Sequence, residues 1–144
     1  MSLLKNKNIK KTQTKTKEKS KAKDVADKWF SLYIRMKDAD FGGYNSCYTC
    51  SKVAHYKELQ CGHFISRASN VLRFDPDNAR VQCVGCNVFK NGNYIKYTRK
   101  LIKEKGEEFV DYLEKKGKET HQFTLKELLE IGADFKKRVE RLKI

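Results

Sequence analysis

Four of the five cysteines fall into two pairs, Cys47-x2-Cys50 and Cys83-x2-Cys86, and Asn87 follows the last of them directly. Zinc favours four tetrahedral ligands, and two CxxC turns brought together supply four thiolates at about 2.3 Å each. A second grouping, Cys47, Cys50, Cys61 and His63, has the spacing C-x2-C-x10-C-x-H and also suits zinc. That set would leave Cys83 and Cys86 idle and consume the histidine. With the four-cysteine set, Cys61 becomes a buried thiol that behaves as a small apolar side chain. His63 is then free for other work, and histidine is the side chain whose unperturbed pKa lies nearest neutrality. Asn78 and Asn87 also have ordinary readings, the first as a turn residue after Asp77 and the second as a helix-start residue. His55 and His121 stand in no partner pattern and read as surface residues.

The elements around these residues must bring positions 47 and 86 together. From Asp24, the residues Val25, Trp29, Leu32, Tyr33 and Met36 recur at three- and four-residue steps, an amphipathic helix that Gly42-Gly43 ends. Residues 44–82 lack helical period and are rich in aromatic and β-branched residues. Tyr44–Cys50 reads as a knuckle entering a hairpin, with one strand near Glu58–Ile65 and a second at Ala79–Gln82. Between these strands lies the turn FDPDN, which holds the only proline. Helical period returns after Cys86 through Val88, Ile95, Leu101 and Ile102, with Asn91-Gly92-Asn93 as a break. Phe109–Leu113 forms another short helix closed near Gly117. Thr124 and Glu127 stand in capping-box spacing at the start of a last one, whose apolar face runs from Leu125 to Leu142. The expected class is α+β, mostly helical, with a metal-stapled ββα unit between N- and C-terminal helices.

Charge sets the partner class. The 144 residues carry 32 Lys+Arg against 18 Asp+Glu, a net +14, which suits a polyanion. Residues 1–23 hold nine lysines and one glutamate, so +8 of that +14 lies there and +6 in the remainder. This stretch has no apolar periodicity and reads as a basic, disordered arm, either a solubilising tail or a grip on phosphates. Residues 24–144 then form a single domain, with its stapled core at 44–105 and a helical part at 106–144. No apolar run approaches the roughly 20 residues that span a bilayer. The lysine-rich start lacks the apolar segment of a secretory signal. A cytoplasmic chain with reduced cysteines is the expectation.

The run CGHFISRASNVLRFDPDNARVQCVGCNVFKNGNYIKYTRKLI, residues 61–102, resembles the NinG/Rap family of phage recombination nucleases. With Cys47 and Cys50 the likeness covers roughly residues 44–115, carried by the GHF, RFD, DN and QCxxCN elements in combination. That family is similar in turn to the H-N-H, or ββα-metal, nucleases, with phage endonuclease VII as an analogue. The resemblance implies an endodeoxyribonuclease that hydrolyses phosphodiesters in branched intermediates such as Holliday junctions and D-loops. It assigns His63 as the general base toward water. Asn78 is the amide that ties the loop and orients that histidine, and Asn87 is a ligand to a catalytic Mg(II) or Mn(II). Cys47, Cys50, Cys83 and Cys86 become the ligands of one structural zinc. In one respect the chain departs from the H-N-H pattern: Gly62 stands where an aspartate often provides a second metal ligand. Either the metal is held more weakly there, or another oxygen donor such as Glu58, Asp75 or Asp77 approaches in the fold.

Arg67, Arg73, Lys90, Lys96, Arg99 and Lys100 surround these residues in sequence, with Tyr94 and Tyr97 among them. Such contacts position a duplex without reading its sequence, so branched DNA read by shape is the expected partner. A non-catalytic zinc-ribbon DNA-binding module and an H-N-H nuclease of other specificity are the alternatives. A junction has two symmetry-related strands to cut, which makes a two-fold homodimer through the last helix a candidate. The same helix packing back on Trp29, Phe30 and Tyr33 is the rival.

Overall fold

A computed structural model describes residues 2–142; Met1 of the expected arm and positions 143–144 of the expected domain lie outside it. The chain is α+β and mostly helical, and its sequence begins with no glycine or proline before Gly42. Nothing therefore interrupts the first helix, α1, which runs over Ser2–Met36. The basic stretch read as an arm without structure is the N-terminal half of this helix. Residues 6–21 are exposed on every side. The hydroxyls of Thr12, Thr14 and Thr16 each bond the carbonyl four residues back, so local bonds alone hold this part.

Burial begins at Ala22 and continues at four-residue steps through Ala26, Phe30 and Ile34. The stripe expected from Val25, Trp29 and Leu32 is thus rotated, and Val25 stays exposed. Alanines set the true phase, because they allow the last helix, α5 (Leu125–Glu140), to approach closely. A Cβ on Gly132 of α5 would stand 3.6 Å from the Ala26 Cα. The Phe30 and Phe135 rings meet edge to face at 5.0 Å, and Tyr33 lies 5.5 Å from Phe135. Leu128 and Phe135 of α5 are therefore buried within the chain, whereas Leu129 stays exposed. Thr124 and Glu127 form the reciprocal capping box that starts α5.

Two antiparallel hairpins lie between these helices. Strands β1 (Tyr44–Ser46) and β2 (Val53–His55) pair Tyr44 with His55 and flank the first CxxC. Strands β3 (Gln60–His63) and β4 (Ala79–Gln82) pair Gln60 with Gln82, Gly62 with Arg80 and His63 with Ala79. The expected strand at Glu58–Ile65 is shorter because Tyr56–Glu58 closes a 3-10 turn. Between β3 and β4 comes a single helical turn, α2 (Asn70–Arg73), then a turn at Pro76.

After β4 the chain makes a π-helical turn at Gly85–Phe89 and breaks at Asn91, Gly92 and Asn93, all with positive φ. Asparagine and glycine tolerate that conformation best. Helices α3 (Tyr94–Lys105) and α4 (Glu107–Lys116) follow. They close over Phe64, Leu72, Tyr97, Leu101, Val110 and Leu113. Tyr97, read as facing DNA, is instead buried in this core, where its hydroxyl donates to the Gly62 carbonyl at 2.8 Å. No described helix is long and apolar enough to cross a membrane.

Candidate functional site

The β1–β2 hairpin presents Cys47 and Cys50, and the end of β4 with the π-helical turn presents Cys83 and Cys86. Their four Sγ atoms lie within 4.8 Å of one another, and those of Cys50 and Cys83 are 3.7 Å apart. A tetrahedral ion with metal–sulfur bonds of about 2.3 Å sets its sulfurs about 3.8 Å apart, so the donor set fits one zinc. Donors surround the sulfurs. The Cys86 backbone N–H reaches Cys83 Sγ at 3.4 Å, Asn93 Nδ2 reaches Cys86 Sγ at 3.5 Å, and Thr49 Oγ1 lies 3.4 Å from Cys47 Sγ. Burial would raise the Cys47 thiol, but hydrogen bonds from the Thr49 hydroxyl and nearby backbone outweigh it and lower the pKa to about 6. Within the same cluster the Cys86 thiol is also lowered, despite burial. The Lys52 backbone N–H would lower Cys50, but burial and the neighbouring sulfurs push it up to about 12. The four thiols thus share their protons, and the geometry of the sulfurs carries the metal assignment.

Cys61 and His63 are not in this cluster, which removes the grouping with Cys47 and Cys50. The Cys61 side chain packs beside Phe30 and Ile34, and burial pushes its thiol up to about 12. Cys61→Ser should therefore retain the full metal stoichiometry of the wild type, as read by elemental analysis. Loss of the metal from that variant would contradict the four-cysteine centre.

Among the described residues β3 pairs with β4 alone. Beside it opens a cleft of about 600 Å³, lined by Asp27, Ser31 and Arg35 of α1, by Gln60, Cys61 and His63 of β3, by Ser66 and Arg67, and by Asn87 and Asn91. The structure thus brings His63 and Asn87 into one cleft. His63 Nε2 lies 2.9 Å from the Arg73 carbonyl oxygen. A carbonyl only accepts, so Nε2 carries the proton and Nδ1 keeps its lone pair. Burial is the main cause that lowers the His63 pKa, the Arg73 carbonyl opposes it, and the Arg67 charge lowers it further. The ring is neutral at neutral pH and half-buried, 5.6 Å from that of Phe30.

Asn78 is fully buried behind the cleft. Its Oδ1 accepts from the Ile65 N–H at 2.8 Å, and its Nδ2 donates to the carbonyls of Ile65 at 2.9 Å and Leu72 at 3.3 Å. One amide therefore holds both ends of the loop that delivers the Arg73 carbonyl to His63. Asn87 donates through Nδ2 to Gln60 Oε1 at 2.7 Å, which leaves its Oδ1 as a candidate ligand.

The candidate second oxygen donors Asp75 and Asp77 line other clefts, and Asp75 caps its own turn through the Asp77 N–H. Glu58 is exposed and also lies outside the cleft lining. The carboxylate that lines the cleft is Asp27, from a helix read only for its apolar stripe. Arg73, expected on DNA, forks onto it, with Nε 2.9 Å from Oδ1 and Nη2 2.6 Å from Oδ2. Both side chains are more than four-fifths buried. Arg67 stands 4.0 Å from Asp27 with its own side chain largely exposed. Lys90, Lys96, Arg99 and Lys100 are exposed at the break and on α3, outside the cleft lining.

The family described as Bacteriophage Lambda NinG protein matches residues 4–144. "Protein ninG" of Escherichia phage 933W is 31% identical over 119 residues, which cover 82% of this chain and 56% of that protein. The protein of the same name from Escherichia phage lambda is 30% identical over 82% of this chain and 55% of its own length. That of Salmonella phage P22 is 31% identical over 82% and 56%. The chain thus spans just over half the length of these relatives. No solved structure matches it.

Proposed function

The chain belongs to the NinG family of phage proteins, and from that premise we propose that it is a metal-dependent endonuclease acting on branched DNA, of the H-N-H type. The observation that carries the reading is the His63 ring. Its Nε2–H is spent on the Arg73 carbonyl and its Nδ1 is unprotonated, in the cleft it shares with Asn87. His63 takes a proton from water as the water oxygen bonds to phosphorus and the bond from phosphorus to the leaving oxygen breaks. The imidazolium that forms is stabilised by the Arg73 carbonyl, held in place by Asn78 from one side and by the Asp27 fork from the other. Asn87 Oδ1, with water and substrate phosphate, suits Mg(II) or Mn(II), which would supply positive charge for the developing oxyanion. One zinc on Cys47, Cys50, Cys83 and Cys86 joins the two hairpins.

Arg67 and the exposed cations of α3 suit phosphate contacts, and the lysine-rich half of α1 extends them. Removing residues 1–20, just short of buried Ala22, should weaken binding to junction and linear duplex alike. It should also flatten the slope of log affinity against log salt. An unchanged slope would leave that half of α1 without a part in binding.

Substrate class is tested by a panel of four-way junction, linear duplex and single strand at equal concentration with added magnesium. Preferential cutting of the junction supports the reading. Equal cutting of all three indicates a nuclease of broad specificity, and binding without cutting under any divalent cation indicates a DNA-binding module.

A further inference from the structure

Gln82 is fully buried, on the strand that leads into the second CxxC. Its Nε2 donates to Thr49 Oγ1 at 3.0 Å and to the Gly92 carbonyl at 2.9 Å. The Gly92 carbonyl only accepts, so the amide nitrogen must face it and the orientation of the side chain is fixed. Thr49 in turn contacts Cys47 Sγ. A metal-bound thiolate accepts, so the Thr49 hydroxyl donates to sulfur and offers its oxygen to Gln82. At the other end, Gly92 lines the cleft, and its N–H donates to the carbonyls of Asn87 at 3.0 Å and Cys86 at 2.9 Å.

The remaining atom of this side chain, Oε1, is buried with no hydrogen-bond partner. It lies against Gly62, where a Cβ would meet it at 2.0 Å. Glycine at position 62 is thus a condition for Gln82 to adopt this pose. Leaving a buried carbonyl unsatisfied is destabilising, and the arrangement accepts that cost to keep both N–H groups on Thr49 and Gly92.

We propose that Gln82 is a positioning residue that ties the thiolate centre to the wall of the His63–Asn87 cleft. It runs from Cys47 through Thr49 to the Gly92 carbonyl, so that the metal both closes the hairpins and fixes the cleft. The proposal rests on zinc occupying the four cysteines, and it does not need the cleft to be a nuclease site. A polar partner behind a metal ligand commonly contributes 10–100-fold in metal affinity.

Two measurements on the full chain test it, zinc affinity by chelator competition and backbone amide exchange at saturating zinc. Gln82→Met keeps the volume and removes both donors; Thr49→Val removes only the hydroxyl. Each variant should bind one zinc about 10–100-fold more weakly, and the double variant should be no weaker than the worse single. At full zinc occupancy, amide exchange over residues 91–93 should rise in both. Unchanged zinc affinity, independent penalties that multiply in the double variant, or unchanged exchange at 91–93 would each overturn the link. If Gln82→Met does not fold, Thr49→Val alone decides through its exchange at residues 91–93. A wild type that binds no zinc would refute the metal reading itself, and absence of cleavage would bear only on the nuclease reading.

Discussion

Cys83→Ser should bind no stoichiometric zinc and should fail to hold the region between α1 and α3 together. Each sheet is a single two-stranded hairpin, and an isolated hairpin is marginal in water. The apolar cluster between the hairpins consists of Leu59, Val81 and three of the cysteines, with Ala54 beside them. That leaves little apolar surface to hold the two CxxC turns to each other. Structural zinc contributes about 10–16 kcal/mol in small domains, so one lost ligand removes the main joint. Elemental analysis and a thermal melt read the result. A variant that keeps one zinc and melts with the wild type would contradict it. The α1–α5 pair packs through Ala22, Phe30, Leu128 and Phe135, so residual helical signal from these two helices is compatible with collapse of the hairpins. Helices α3 and α4 lose the Phe64 and Leu72 side of their core.

His63→Ala should lower cleavage by about 10²–10⁴-fold, the range of a lost general base, with junction affinity nearly unchanged. The ring contacts Phe30 and the Arg73 carbonyl, and the substitution leaves Arg67 in the cleft and the exposed cations of α3 in place to hold phosphate. Near-wild-type cutting would remove His63 from the chemistry. The same residue sets a pH dependence whose sign follows from its lowered pKa. The base is neutral in the folded chain down to a pH below the ordinary value of 6.5. The acid limb of kcat/KM should therefore fall below 6.5 and be absent from whatever activity the variant retains. Stability follows the same direction. Below 6.5 the unfolded chain takes up the proton first, so stability present above that pH is lost as pH falls toward the folded value. A wild type whose stability against pH parallels that of His63→Ala through this window would contradict the burial argument.

Much of the local structure was legible because its signals are local. The strand at Ala79–Gln82, the break at Asn91–Asn93 and the capping box at Thr124 each follow from neighbouring residues, and the paired CxxC spacing suits one cluster of thiols. The phase of α1 was not legible. Its stripe is set by Ala22 and Ala26 against α5, and alanine carries no strong apolar signal without knowledge of its partner. Tyr97 misled for a related reason. It sits between lysines on a basic helix, yet its hydroxyl finds a partner 35 residues away in Gly62. Asp27 and Arg73 lie 46 residues apart; Arg73 reads as a DNA contact, and Asp27 lies on a helix read for its apolar stripe alone. Gly62 looked like a missing ligand until Gln82 was seen to fill its side-chain space. These are long-range pairings, and a sequence of one chain offers no signal for them.

The central claim is that the His63–Asn87 cleft cuts branched DNA with a divalent cation while zinc stays on the four cysteines. Its most direct test incubates the zinc-loaded chain with a labelled four-way junction, with and without Mg(II), and resolves the strands on a denaturing gel. Strand cleavage near the branch point that requires Mg(II), with zinc content unchanged, is the expected result. A junction bound at saturation yet left intact with Mg(II) and with Mn(II) would contradict it.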